Sequence, residues 1–169
     1  MQVFVFLTKL EDHVKFRARE HRVHESSTRL VNEARSGKRN RYDAPIVLVV
    51  DDSEDNRELC AAILSRHGFS VVTANDGEEA IEKALVYRPR VIVMDIAMPV
   101  MDGWEATRCL RARPETADAH ILVLSAFGDA ESRRHSHAAG ADEHLVKPAA
   151  PEDLVARVSA AFERLRDAG

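Results

Sequence analysis

The chain has 169 residues, of which 45% are hydrophobic and 31% charged, which allows one compact domain of ~100–150 residues and a remainder. Such a composition supports a real core and excludes a disordered or fibrous chain, while the lack of any run of ~18 apolar residues excludes a membrane span. Of the 24 basic and 28 acidic residues, 10 and 6 fall in residues 1–44 (net +4), leaving 14 and 22 for residues 45–169 (net −8). A body at −8 repels a phosphate backbone, so nucleic-acid binding is not expected of it.

In chain order, residues 1–44 read as a basic N-terminal extension, partly helical or disordered, with Leu7, Leu10 and Val14 on one helical face. Its opening apolar stretch, Met1 to Leu7, lacks the basic flank, length and cleavage site of a secretory signal, so a cytoplasmic location is expected. His21 and His24 in this charged stretch are expected to be solvated. Ser36 to Pro45 has the composition of a linker. Ile46–Val50 then forms a continuous β-branched and aliphatic run that suits a strand covered on both faces. Ser53 caps a helix to about His67, with Leu59 and Ile63 on one face and Gly68 as the stop. Phe69–Thr73 reads as a second strand, and Asp76 caps a second helix carrying Ala80, Ile81 and Leu85. Val91–Met94 is the third strand, 103–112 a helix, and Ile121–Leu124 the fourth strand. A weak helix over 129–139 offers chiefly Ala130, Ala138 and Ala139 to the core, and its weak burial predicts either a mobile element or simply an under-packed surface helix. Glu143–Val146 is a short fifth strand. The last helix, 151–166, is the best formed: Pro151 suits its first turn, and Leu154, Val158, Ala161, Phe162 and Leu165 make one apolar stripe.

Five strands alternating with five helices specify the doubly wound α/β class, a parallel sheet with helices on both faces. Ligands gather there at the carboxyl ends of the strands. Strand one ends in Asp51 and Asp52, strand three in Asp95, strand four in Ser125 and strand five in Lys147 and Pro148, whereas strand two ends in nothing chemical. With strand order 2-1-3-4-5, strand two lies at the edge and the other four ends share one crevice. An Asp pair, a Ser or a Lys at a single strand end is ordinarily a cap or a solvated residue; their joint appearance on four meeting ends is not. Three neighbouring carboxylates repel one another unless a cation sits among them, and oxygen-only ligands with room for water favour Mg²⁺ over a softer metal. Lys147 adds a positive charge and Ser125 a hydroxyl, which suits a phosphoryl group beside the metal.

Three segments carry a family resemblance: Val49-Val50-Asp51-Asp52, the run Met94 to Gly103 (Met-Asp-Ile-Ala-Met-Pro-Val-Met-Asp-Gly), and Leu145-Val146-Lys147-Pro148. Over about 45–167 the chain resembles the receiver domain of bacterial two-component response regulators, a single receiver similar to those of hybrid sensor kinases. The resemblance implies a flavodoxin-like fold with order 2-1-3-4-5. It implies Asp95 as phosphoacceptor, with Mg²⁺ held by Asp51, Asp52, Asp95 and the backbone carbonyl of Ala97, one carboxylate acting through water. It also makes Lys147 the phosphate-binding lysine, with a cis bond to Pro148, and Ser125 the switch hydroxyl, followed by the small Ala126. In such a protein the phosphoryl group comes from a sensor histidine kinase or a histidine phosphotransfer protein, and the readout lies on the fourth helix, fifth strand and fifth helix. The protein is then no enzyme in the usual sense, catalysing only its own phosphorylation and dephosphorylation.

His144 occupies the place of the family's usual aromatic switch residue; a rotameric role is expected of it, and its titratable ring adds pH sensitivity. Ala97 and Phe127 flank the acceptor without a side chain that orients water, so slow self-dephosphorylation is expected. Cys60 and Cys109 read as core filler, and His135 and His137, two apart, do not share a helix face for a metal. One rival is an Asp-nucleophile phosphatase of the haloacid dehalogenase kind, which needs a general acid two residues after the nucleophile, where Ala97 stands. Another is a receiver-fold scaffold that works without phosphorylation, against which retention of all five site residues argues. A nucleotide-binding protein is disfavoured because the turn from Asp51 to Asn56 has no glycine. Only a few residues, Ala168 and Gly169 among them, follow the last helix, so output through a downstream protein partner or onward phosphotransfer is expected, with no membrane or nucleic acid involved.

Overall fold

The computed structural model describes residues 44–167; what the sequence suggested for residues 1–43, including the helical face of Leu7, Leu10 and Val14 and the solvated His21 and His24, lies outside them. Strands β1 (Ile46–Val50), β2 (Ser70–Ala74), β3 (Val91–Asp95), β4 (His120–Ser125) and β5 (Glu143–Val146) form one parallel sheet in the order β2-β1-β3-β4-β5. Between and after them run α1 (Glu54–Arg66), α2 (Gly77–Tyr87), α3 (Gly103–Arg111), α4 (Ala130–Ala139) and α5 (Pro151–Asp167).

Successive strand residues point to opposite faces, so the β-branched and aliphatic runs feed two apolar layers at once. Val47, Val49, Val91, Val93, Leu122 and Leu124 pack with Leu64 of α1 and with Leu154, Val158 and Ala161 of α5. The alternate residues Leu48, Val50, Ile92, Met94, Ile121 and Val123 pack against α2 and α3, through Ala80, Ile81, Ala84, Ala106 and Leu110. Cys60 and Cys109 are free thiols lying partly buried, one against each layer, as small hydrophobes do. Helix starts are set by Ser53, Asp76, Asp102 and Asp129, each accepting from a backbone N–H of its helix's first turn.

Several boundaries and faces differ from the sequence reading. β2 begins one residue later and takes in Ala74, and β4 extends to His120 and Ser125. Leu59 and Ile63 do share a face of α1, but it borders a cavity of about 350 Å³; Leu59 is 60% exposed, and the core position of α1 is Leu64. In α4 the buried residues are Ser136 and Ala139, while Ala130 and Ala138 are exposed. The helical phase turns a serine inward where two alanines were expected.

Candidate functional site

The carboxyl ends of β1, β3, β4 and β5 converge because the central strands are registered side by side and the empty-ended β2 is at the edge. Asp51, Asp52 and Asp95 each offer a carboxylate oxygen, all within 4.8 Å of one another. Asp51 and Asp95 are buried and Asp52 is exposed. The Lys147 ammonium donates to Asp51 Oδ2 at 2.7 Å and lies 3.1 Å from Asp95 Oδ1, and the bond from Lys147 to Pro148 is cis. The Lys147 ammonium and the Arg57 guanidinium, which lies on the main-chain carbonyls of Asp51 and Asp52, leave three carboxylates incompletely balanced, an excess that hard oxygen donors of this kind relieve by holding a divalent cation. The donor set therefore fits Mg²⁺.

The three carboxylates are not equivalent. Asp51 Oδ1 accepts from the Ser53 N–H at 2.9 Å and from the Asn56 amide at 3.1 Å, which also reaches Oδ2 at 3.3 Å. Arg57 donates to the main-chain carbonyls of Asp51 at 2.7 Å and Asp52 at 3.0 Å, tying the end of β1 to the first turn of α1. Asp95 Oδ1 accepts from its neighbour's N–H, Ile96, at 2.8 Å. Asp51 is thus clamped on both oxygens, whereas Asp95 is held through Oδ1 alone. Burial raises the Asp95 carboxyl above its ordinary value despite the nearby Lys147. For Lys147, burial works against the charge, but hydrogen bonds and attraction from Asp51 and Asp95 prevail and hold the ammonium above its ordinary value.

Backbone geometry keeps the acceptor end of β3 tight. A Cβ on Gly103 would lie 2.0 Å from the Asp95 carbonyl oxygen, so only glycine lets the start of α3 pass there. In the same loop Val100 adopts φ 68° and is 79% exposed, a left-handed conformation unfavourable for a β-branched residue. Ala97 lies on this loop, exposed, two residues after Asp95. Ser125 is 1% exposed; its hydroxyl accepts from the Phe127 N–H at 3.0 Å, and its carbonyl accepts the Lys147 N–H at 2.8 Å. Phe127 is exposed. His144 lies on β5 with both ring nitrogens partnered, Nδ1 by Ser136 Oγ and Nε2 by the Phe127 carbonyl, each at 2.9 Å.

The structure thus gathers Asp51, Asp52, Asp95 and Lys147 at one point, with Ser125 on the adjoining strand end and His144 one step behind it. Sequence reasoning passed over Asn56, Arg57 and Val100. Polar residues in the first turn of a helix are ordinary, and nothing local told that Asn56 and Arg57 would reach back to β1.

A family model for the response regulator receiver domain matches residues 47–159. The chain belongs to that family. Among curated relatives, the transcriptional regulatory protein PrrA of Mycobacterium tuberculosis is 45% identical over 121 residues, covering 72% of this chain and 51% of that one. The response regulator MprA of Mycobacterium leprae is 42% identical over 120 residues, covering 71% and 52%. This receiver chain spans about half the length of the curated relatives it matches. Among solved structures, the chemotaxis response regulator CheY4 of Vibrio cholerae has a TM-score of 0.67 and 36% identity, covering 70% of this chain and 98% of that one. The receiver domain of a signal transduction histidine kinase from Syntrophus aciditrophicus has a TM-score of 0.67 and 28% identity, covering 71% and 91%. The five-stranded parallel sheet in the order 2-1-3-4-5 is the fold these receivers share.

Proposed function

We propose that residues 45–167 form a phosphoryl-accepting receiver in which Asp95 takes a phosphoryl group from a histidine of a sensor kinase or phosphotransfer protein. The observation that carries this reading is the meeting of three carboxylates and one ammonium at the strand ends of a receiver fold. A carboxylate oxygen of Asp95 attacks the phosphorus in line, the phosphorus–nitrogen bond of the donor breaks, and the donor imidazole leaves with a proton. Oδ2, which accepts no hydrogen bond from the described residues, is the natural nucleophile. Asp51, Asp52, Asp95 and the Ala97 carbonyl would hold Mg²⁺, which would supply charge neutralisation at the phosphoryl oxygens. Lys147, already between Asp51 and Asp95, neutralises a further phosphoryl oxygen. Ser125 turns its hydroxyl toward the new acyl phosphate and carries the 126–128 loop with it. His144 follows that loop through the Phe127 carbonyl.

Ala97 and Phe127 present no group that orients an attacking water, so the acyl phosphate is long-lived. The onward route of the signal, to a downstream protein or another histidine, is assigned to partner contacts rather than to nucleic acid, in line with the −8 of residues 45–169. The phosphatase reading lacks its general acid, because Ala97 has no titratable side chain.

Uptake of label from acetyl phosphate or a candidate kinase, compared in wild type and Asp95→Asn with and without Mg²⁺, tests the assignment. Wild type takes up label only with the metal, and Asp95→Asn takes up none. Label on the variant, or uptake indifferent to a chelator, overturns it. A half-life of seconds in purified protein contradicts the long-lived acyl phosphate.

A further inference from the structure

One hydroxyl in α4 has more partners than its surroundings suggest. Ser136 is 0% exposed, and its Oγ meets the Trp104 indole nitrogen at 3.2 Å, the Ser132 carbonyl at 3.0 Å and His144 Nδ1 at 2.9 Å. These partners come from α3, α4 and β5. On the far side of the imidazole, Nε2 lies 2.9 Å from the Phe127 carbonyl, and the Phe127 N–H donates to Ser125 Oγ at 3.0 Å.

Proton counting gives this chain of groups a direction. A carbonyl only accepts, so His144 Nε2 carries a hydrogen. In the neutral ring Nδ1 is then the acceptor, and the single Ser136 hydrogen is shared between it and the Ser132 carbonyl, which also only accepts. The indole N–H can only donate, so it donates to Ser136 Oγ. The sequence runs without a break: Trp104 N–H to Ser136, Ser136 O–H to His144, His144 N–H to the Phe127 carbonyl, and the Phe127 N–H to Ser125. Residue 127 is gripped on both of its flanking peptide groups. Next to it, Gly128 lies flush on β5, for a Cβ there would meet Val146 Cγ2 at 2.7 Å.

We infer that Ser136 and Trp104 are positioning residues of the switch, and that the state of the Ser125 hydroxyl reaches the start of α3 through His144 and Ser136. The inference rests on the reading of Asp95 as phosphoacceptor and of Ser125 as the hydroxyl that turns to the phosphoryl group. When Ser125 turns inward, the Phe127 N–H follows to keep its acceptor, and the Phe127 carbonyl withdraws from His144. Bonds of 2.9 to 3.0 Å do not survive a displacement of more than about half an ångström. The imidazole loses its acceptor and turns, Ser136 commits its shared hydrogen wholly to the Ser132 carbonyl, and the indole is left beside a rearranged hydroxyl. His135, next to Ser136 in the chain, stacks on Trp104 with ring centroids 4.8 Å apart and an interplanar angle of 26°. Any adjustment of α4 therefore changes both the indole's hydrogen bond and its stacking partner.

Trp104 is the sole tryptophan of the chain, so its emission reads the relay. The experiment records intrinsic fluorescence of the full chain with Mg²⁺ alone and with Mg²⁺ plus acetyl phosphate, and label uptake is measured in parallel. Wild type is expected to take up label and shift its emission on adding acetyl phosphate. Ser136→Ala and His144→Phe are expected to take up label and lose the shift, and Asp95→Asn to lose both. The two variants cut the relay on opposite sides of one bond, so if one fails to fold the other still decides. A shift retained in a folded, labelled Ser136→Ala or His144→Phe overturns the relay, as does a labelled wild type without a shift or a shift of the same size with Mg²⁺ alone. Wild type without label overturns the acceptor reading first, and the relay with it, which separates the two failures.

Discussion

α4 and α5 precede and follow β5 in the chain, and they are held by different physics. α5 buries Leu154, Val158 and Ala161 and packs Phe162 and Leu165 against the same layer; Phe162 stacks on Phe69 with ring centroids 5.5 Å apart. Its Arg157 and Arg164 both bind Glu143 at the start of β5, and its Leu165 carbonyl accepts from Arg90. α4 buries only Ser136 and Ala139, and its interior contact is the hydroxyl shared with Trp104 and His144. Apolar burial offers no equivalent partner in water, so α5 has one resting place. Hydrogen bonds can be exchanged for others at a small net cost, so α4 can be re-seated. The contrast separates an anchored helix from one that can be re-seated.

Breaking the anchor has the largest effect. Leu154→Ala is expected to cost about 2–5 kcal/mol of stability through lost burial and a residual cavity, measured by denaturant unfolding. Ser136→Ala is expected to cost about 1–3 kcal/mol, because the indole N–H and the imidazole lose a buried partner. Were Ser136→Ala to cost as much as Leu154→Ala, α4 would be an anchor too and the contrast would dissolve.

Two carboxylates sharpen the comparison through pH, with opposite signs. Asp95 is raised by burial, so its ionisation opposes folding: the protonated form's advantage is present below the ordinary aspartate range and lost as pH rises through the raised value. Asp95→Asn is accordingly expected to raise the Tm at pH 7, in the absence of Mg²⁺, by on the order of a few degrees, a gain that vanishes near pH 3. A lowered Tm at neutral pH would show that attraction to Lys147 outweighs burial. Glu143 is also opposed by burial, but its hydrogen bonds to Arg157 and Arg164 prevail and hold it below its ordinary value. Its contribution is therefore present above the ordinary glutamate range and lost as pH falls through the lowered value. Glu143→Gln is expected to cost about 0.2–1 kcal/mol at pH 7, since both arginines are substantially exposed, and nothing in strong acid. An equal loss at both pH values would trace the effect to packing rather than charge.

Most of the fold was legible because its signals are local. Runs such as Ile46–Val50 and Val91–Met94, separated by capped amphipathic stretches, declare buried parallel strands from a few neighbouring residues. The site was legible for a related reason: once the sheet order is known, the residue after each strand has a known neighbourhood. Where the reading failed, the information was not local. Ala130 and Ala138 are apolar and Ser136 is not, yet the phase set by packing against β5 and α3 buried the serine. His120 joined β4 instead of the preceding loop, and there it holds the single buried side-chain nitrogen without a hydrogen bond among the described residues, 3.3 Å from Glu143.

The sequence by itself determined the strands, the caps Ser53 and Asp76, the two-faced core and the list of groups that meet at the strand ends, because periodicity and strand-end chemistry are written within a few residues. Only the tertiary structure decided which of those groups touch. Lys147 meets Asp51 across 96 residues of chain and Trp104 meets Ser136 across 32. A hydrogen bond demands its partner within about 3.5 Å at the right angle, a condition that packing settles and local pattern does not express.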